Sequence, residues 1–99
     1  ERVARDSETI SEDKNLEAPF EVSITSNGFV PNSIDIEEGG NVRFINMDNT
    51  NHTASSEDLS WGTGTIQPGG SFIVKFPEDG EFPFFDSYDS SNSGAVYVD

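Results

Sequence analysis

The chain contains no cysteine, which excludes disulfide bonds, thiolate catalysis and thiolate metal ligands. It carries only five lysine and arginine residues against 19 acidic ones, for a formal net charge of −14. Because basic residues are so few and scattered, we expect no binding to nucleic acid. No apolar stretch approaches the ~20 residues that a membrane helix needs, so we expect no direct membrane insertion within these residues.

The acidic residues are spread through every segment of the chain rather than gathered in blocks. This distribution is typical of a surface that stays soluble in a salty medium, and it is compatible with docking to a basic partner. We expect a monomeric domain with a protein partner of unknown identity. Because residue 1 is Glu rather than an initiator Met, we interpret the chain as a mature or trimmed form, with any signal peptide or anchor upstream.

The pattern of apolar residues divides the chain into two parts. Residues 1–18 are polar and charged and predict a flexible acidic tether, whereas residues 19–99 predict one domain. No segment of that domain has a helical period, and short alternating runs separated by Gly and Pro turns predict an all-β antiparallel sandwich or barrel. The predicted strands cover 20–25, 33–37, 42–46, 72–76, 82–85 and 95–98, with a long polar loop at 47–65.

Four motifs occur in the order and spacing of one known family. The segment 80–86 reads Gly-x-Phe-x-Phe-x-Asp and resembles Gly-x-Tyr-x-Tyr-x-Cys of the cupredoxin family, in its plastocyanin and pseudoazurin branch. The segments 29–34, 38–46 and 61–72 are similar to that family's Phe-x-Pro-x-x-Ile, Gly-Asp-x-Val-x-Phe-x-Asn and Ser-Gly-x-Leu-x-Pro-Gly-x-Ser-Phe motifs. The resemblance implies a Greek-key β-sandwich with one type 1 copper, held near one end by His, Cys, His and Met.

The ligand positions of the family are mostly changed in this chain. Carried over by the motifs, only His52 agrees, while Asp86 replaces the cysteine, Asp89 the second histidine and Asn92 the methionine. A blue-copper centre requires a soft thiolate, and a carboxylate offers only hard oxygen donors. We therefore expect no blue type 1 copper and no electron transfer of the kind that the family performs.

Strand alternation gives Asp86 an unusual predicted position. Phe82, Phe84 and Asp86 share one strand face, so Asp86 should lie at the rim of the core, close to His52. A partly desolvated carboxylate is costly unless it is paired. It could form an ion pair with His52, accept hydrogen bonds from Ser, Asn or backbone amides, or bind a cation. His52, Asp86, Asp89 and Asn92 together are a candidate nitrogen-and-oxygen site for Zn²⁺, Mn²⁺ or type 2 Cu²⁺.

The sequence thus predicts a cupredoxin-like binding or interaction module that has lost its type 1 copper site. We expect it to be extracytoplasmic, tethered through its N-terminus, without enzymatic activity, and with no cofactor or one divalent metal ion. The metal-free His52–Asp86 pair is the favoured hypothesis. The rival is a non-blue metal-binding cupredoxin with the hard-ligand site, and an electron carrier or a metalloenzyme remains a further alternative.

Overall fold

A computed structural model describes residues 20–99, so the predicted tether lies outside the described residues. Every predicted strand overlaps an observed strand, and two short strands, Gly28–Val30 and Ser55–Ser56, are additional. None of the described residues belongs to a helix long and apolar enough to cross a membrane. The strands are β1 (Phe20–Thr25), β2 (Gly28–Val30), β3 (Ser33–Ile36), β4 (Gly40–Asn46), β5 (Ser55–Ser56), β6 (Ser71–Phe76), β7 (Gly80–Asp86) and β8 (Asp89–Val98).

The strands form two four-stranded sheets, with the orders β2-β1-β4-β6 and β3-β8-β7-β5. This confirms the all-β sandwich, but the expectation of purely antiparallel pairing is wrong, because β1 pairs with β4 and β3 pairs with β8 in parallel. Between β1 and β4 the chain crosses to the second sheet as β3 and then returns. Alternation in the sequence indicates which face of a strand is buried. The direction of the neighbouring strand depends instead on how the chain crosses between the two sheets.

Aromatic rings fill the space between the two sheets. Phe84 is fully buried, and its ring meets Phe29 and Phe44 edge to face, with centroids 4.7 and 5.3 Å away. Trp61, from the long segment between β5 and β6, packs against Phe76 with a centroid separation of 5.2 Å. Each such pair adds ~0.5–1.5 kcal/mol beyond the area it buries. The aromatic residues therefore lock the two sheets together.

Gly94 allows β8 to lie directly against this core. A Cβ atom at this position would stand 2.7 Å from the Phe84 ring and 2.4 Å from the carbonyl oxygen of Asn32. No side chain fits in that space, so the position requires glycine because of close backbone approach. The contact fixes how β8 lies against β7, and with it the position of the hairpin that joins the two strands.

The hairpin between β7 and β8 is much tighter than the sequence predicts. The strand prediction leaves 86–94 as a loop, whereas β7 continues to Asp86 and β8 already begins at Asp89. Asp86 and Asp89 face each other across the turn, with a register shift between Phe85 and Asp86. The sequence has no alternating pattern that would predict the beginning of β8, because these serine-rich residues are largely exposed and form no apolar face.

Candidate functional site

His52 lies in the segment between β4 and β5, and its side chain is largely buried. Asn46, fully buried at the end of β4, organises this segment. Its amide donates hydrogen bonds of 2.8 Å to the carbonyl oxygens of Thr50 and Ile66, and its Oδ1 accepts one of 2.9 Å from the backbone of Asp48. The main chain of His52 also pairs with Ile66. The backbone that carries His52 and Asp48 is therefore held in a defined shape.

Asp86 faces inward beside His52, as strand alternation predicts. Its side chain is 0% exposed, and Oδ2 lies 2.5 Å from His52 Nδ1. The other oxygen, Oδ1, accepts hydrogen bonds from the backbone N–H groups of Thr53 (3.1 Å) and Tyr88 (2.9 Å). Two of the predicted ways to compensate this carboxylate, the His52 pair and backbone amides, are thus both present. Each oxygen of the Asp86 carboxylate therefore has at least one hydrogen-bond partner.

The second ring nitrogen of His52 also contacts a carboxylate. Nε2 lies 2.8 Å from Asp48 Oδ2 and 3.2 Å from the hydroxyl of Thr50. Burial of the ring opposes its charged form, but hydrogen bonds to Asp48 and Asp86 outweigh burial and raise the pKa of His52. In return, the hydrogen bond to His52 lowers the pKa of Asp48. A doubly protonated imidazolium donates from both nitrogens, which is what two flanking carboxylates require.

The remaining predicted ligands lie at the surface near His52. Asp89 is exposed at the start of β8, where its carboxylate accepts hydrogen bonds from the hydroxyl (2.7 Å) and backbone (3.2 Å) of Ser91, which lower its pKa. Asn92 is half-buried, and its Oδ1 would be 3.1 Å from a Cβ atom at Gly28. His52, Asp89 and Asn92 line one surface depression of about 540 Å³. Asp86 is not among its lining residues, because its side chain is buried.

The residues at this end of the fold do not fit a type 1 copper ion. No thiolate exists in the chain, and both ring nitrogens of its single histidine contact carboxylates. Among residues 20–99, no group of three or more His, Cys, Asp or Glu side chains is arranged to hold a metal ion. The inward carboxylate of Asp86 already accepts hydrogen bonds from His52 and from two backbone N–H groups. Three of the four predicted ligands share a depression, but they are not assembled as one ligand cluster.

Sequence reasoning missed Asp48 and Thr53 as members of this site. Asp48 precedes His52 by four residues, a spacing that was available as a signal but is not selective in so acidic a chain. The hydroxyl of Thr53 accepts a hydrogen bond of 2.9 Å from the backbone of Ser87 and lies 3.0 Å from the hydroxyl of Ser55. Thr53 therefore fastens the His52 segment to the β7–β8 turn, a contact between residues far apart in sequence.

Comparisons with known proteins agree with this fold. The model of the cupredoxin-like domain family matches residues 5–98. A purple cupredoxin from Nitrosopumilus maritimus is 20% identical, with a TM-score of 0.75 over 81% of this chain and 99% of that chain. A copper(I) form of an amicyanin variant is 15% identical, with a TM-score of 0.78 over 91% of this chain and 90% of that chain. No curated protein matches in sequence. The family match, the sandwich and the aromatic core together show that this chain belongs to the cupredoxin-like domain family.

Proposed function

We propose that this chain is an extracytoplasmic binding module that uses the cupredoxin fold without type 1 copper electron transfer. The observation that carries the proposal is the position of His52 between two carboxylates, with Nδ1 at 2.5 Å from Asp86 and Nε2 at 2.8 Å from Asp48. A ring that donates from both nitrogens has no free lone pair for a metal ion. Hydrogen bonds thus hold together the end of the fold where the family resemblance implies copper.

The donor chemistry argues against electron transfer through this site. A blue-copper centre depends on a thiolate, which this chain lacks, and the residue at the corresponding position is the buried carboxylate of Asp86. What remains is a β-sandwich in a strongly acidic chain. Such a scaffold suits recognition of a protein partner, and the proposal includes no catalytic role. Cupredoxin-like domains are typically extracytoplasmic, which supports placement of this domain outside the cytoplasm.

A second candidate function keeps a metal ion. It is favoured by the depression of about 540 Å³, where His52, Asp89 and Asn92 meet and where Asp48 is a further oxygen donor. Nitrogen and oxygen ligands of this kind suit Zn²⁺, Mn²⁺ or type 2 Cu²⁺. Binding would require His52 to lose a proton and exchange its hydrogen bond to Asp48 for a metal bond.

Elemental analysis separates the two candidates. The protein is purified without chelators or affinity metals, and the metal content of the parent is compared with that of His52→Ala and Asp89→Ala, which both remove residues that line the depression. A matched control, Asp35→Ala, removes an exposed acid from β3 and reports nonspecific metal binding by the acidic surface. We expect no stoichiometric metal in any of them. One metal ion per chain, lost in both site variants and kept in the control, would overturn the proposed function.

Nuclear magnetic resonance of the His52 ring gives an independent readout. We expect two ring N–H groups, both hydrogen-bonded, at a pH below the folded-state pKa of His52, and no change when Zn²⁺ is added. Loss of one ring proton on addition of equimolar Zn²⁺ would favour the metal site instead.

A further inference from the structure

The turn between β5 and Trp61 exposes an apolar side chain in an unfavourable backbone conformation. Leu59 is 77% exposed, the highest value among the large apolar side chains of the described residues. Its φ of 62° is the only positive value at a non-glycine position in residues 20–99. The left-handed region is strained for an L-residue that carries a Cβ atom, and Gly or Asn would occupy it with less strain. Local stability alone therefore does not account for a leucine here.

Hydrogen bonds hold this turn in place. Asp58 Oδ1 accepts from the hydroxyl (2.6 Å) and backbone (3.0 Å) of Ser60, and also from the hydroxyl of Ser56. These bonds lower the pKa of Asp58 to about 2, so its carboxylate is charged throughout the physiological range. The backbone of Leu59 donates to the carbonyl oxygen of Ser56 at 3.0 Å. Leu59 is thus presented on an ordered turn, which reduces the entropy lost when a side chain is immobilised in an interface.

A groove of about 270 Å³ adjoins the turn. Phe82 and Pro83 supply its apolar surface, and the backbone of Glu57 donates to the carbonyl oxygen of Pro83 at 3.1 Å. Its other lining residues are Ser56, Glu57, Asp58 and Glu81, so the groove has three acidic residues and no basic one. None of these residues lines the depression at His52. An apolar centre with a charged rim is the usual anatomy of a protein interface.

We propose that Leu59 and the adjoining groove form a protein-docking surface for a partner whose basic residues surround an apolar contact. Leu59 is the anchor, Phe82 and Pro83 form the apolar floor, and Glu57, Asp58 and Glu81 pair with lysine or arginine of the partner. Charge complementarity selects this partner, because the residues that line the groove include three acidic side chains and no basic one. The inference rests on the proposed function, since it names the surface by which the binding module recognises its partner.

The test uses a short synthetic peptide in which lysines flank a central leucine and phenylalanine. A second peptide has serine at both apolar positions and keeps the lysines. Binding to the full chain is followed residue by residue in ¹H–¹⁵N spectra. We expect shifts concentrated at residues 56–60 and 81–83 for the first peptide, and much weaker binding of the second. Equal affinities for the two peptides, or shifts spread over acidic residues everywhere, would refute the inference.

Variants of Leu59 separate anchoring from general charge attraction. Leu59→Ala should weaken the Kd for the first peptide about tenfold, the loss expected of an anchor residue. Leu59→Asn should do the same while tolerating the left-handed backbone, so a folding defect cannot explain the loss. Met47→Ala is the matched control, because Met47 is 64% exposed and lies outside the groove. Unchanged affinity in both Leu59 variants would overturn the inference.

The two proposals fail in different experiments. A stoichiometric metal ion that depends on His52 would overturn the proposed function and leave the peptide result unchanged. Sedimentation analysis tests one other occupant, because Leu59-dependent self-association would show that a second copy of this chain covers the groove, contrary to the inference.

Discussion

Removal of the Asp86 carboxylate should destabilise the domain severely. In Asp86→Ala, the ring N–H of His52 and the backbone N–H groups of Thr53 and Tyr88 lose their acceptor. A buried donor left without a partner costs ~1–3 kcal/mol. Breaking a buried ion pair from one side costs ~3–5 kcal/mol, largely because the remaining charge is uncompensated. Since the His52 ring keeps its contact with Asp48 Oδ2 at 2.8 Å, we expect a total loss near the middle of that range, ~4 kcal/mol.

Such a loss is measurable by denaturant unfolding at neutral pH. The single tryptophan, Trp61, contacts the core rings of Phe44 and Phe76 and reports the transition by its fluorescence. The free energy of unfolding of a domain is ~5–15 kcal/mol, so ~4 kcal/mol would move the midpoint strongly at an unchanged slope. Asp86→Asn should lose less, because its side-chain oxygen can still accept from both backbone N–H groups.

The matched control is Asp89→Ala, which removes an exposed carboxylate from the same hairpin. Its effect on the free energy of unfolding should be much smaller than that of Asp86→Ala. A loss of less than ~1 kcal/mol in the free energy of unfolding of Asp86→Ala, or a loss no larger than that of the control, would contradict this expectation. Either result would show that the hydrogen bonds to the buried carboxylate do not stabilise the domain as argued. The pKa of His52 should also fall in Asp86→Ala, and an unchanged value would equally contradict the reasoning.

Three further predictions concern pH, the segment before His52, and the core. The folded-state pKa of His52 is raised, so its stabilising contribution should be complete below about pH 6.5 and lost as pH rises through the folded-state pKa. A ring titration by NMR should show a midpoint above 6.5 that falls in Asp48→Asn, and a midpoint at or below that value would contradict it. Asn46→Ala removes a fully buried amide with three hydrogen bonds and should lower the free energy of unfolding by ~2–4 kcal/mol, measured by denaturant unfolding. A loss below ~1 kcal/mol would show that water replaces those bonds. Gly94→Ala places a Cβ atom 2.7 Å from Phe84 and should cost at least ~2 kcal/mol, so parent-like thermal stability would show that β8 can shift.

The fold followed from the sequence because the core-facing residues of most strands repeat with period two. Val22 and Ile24 alternate with polar neighbours on β1, and both are buried in the structure. The same argument placed Asp86 on the inward face of β7, two positions after Phe84, and the structure confirms that placement. Alternation is a local property of an extended chain, so it can be read without knowing what packs against the strand.

Other features depend on contacts that no local pattern encodes. The serine-rich start of β8 has no alternating apolar face, which hid the tight turn between Asp86 and Asp89. The turn at Leu59 gave no sequence signal either, because it is held by hydrogen bonds to the Asp58 carboxylate and to the carbonyl oxygen of Ser56. A leucine between polar residues reads as an ordinary loop residue until its exposure and φ are known.

The sequence by itself determined the chemistry that this site lacks and the direction in which Asp86 points. Without cysteine and with one histidine, no rearrangement of the chain can produce a type 1 copper centre. Only the tertiary structure decided what compensates Asp86, because two of its three donors, His52 and Thr53, come from a segment that folding brings to β7. It also placed Asp48 on the opposite side of His52, since that contact depends on how Asn46 folds the intervening backbone.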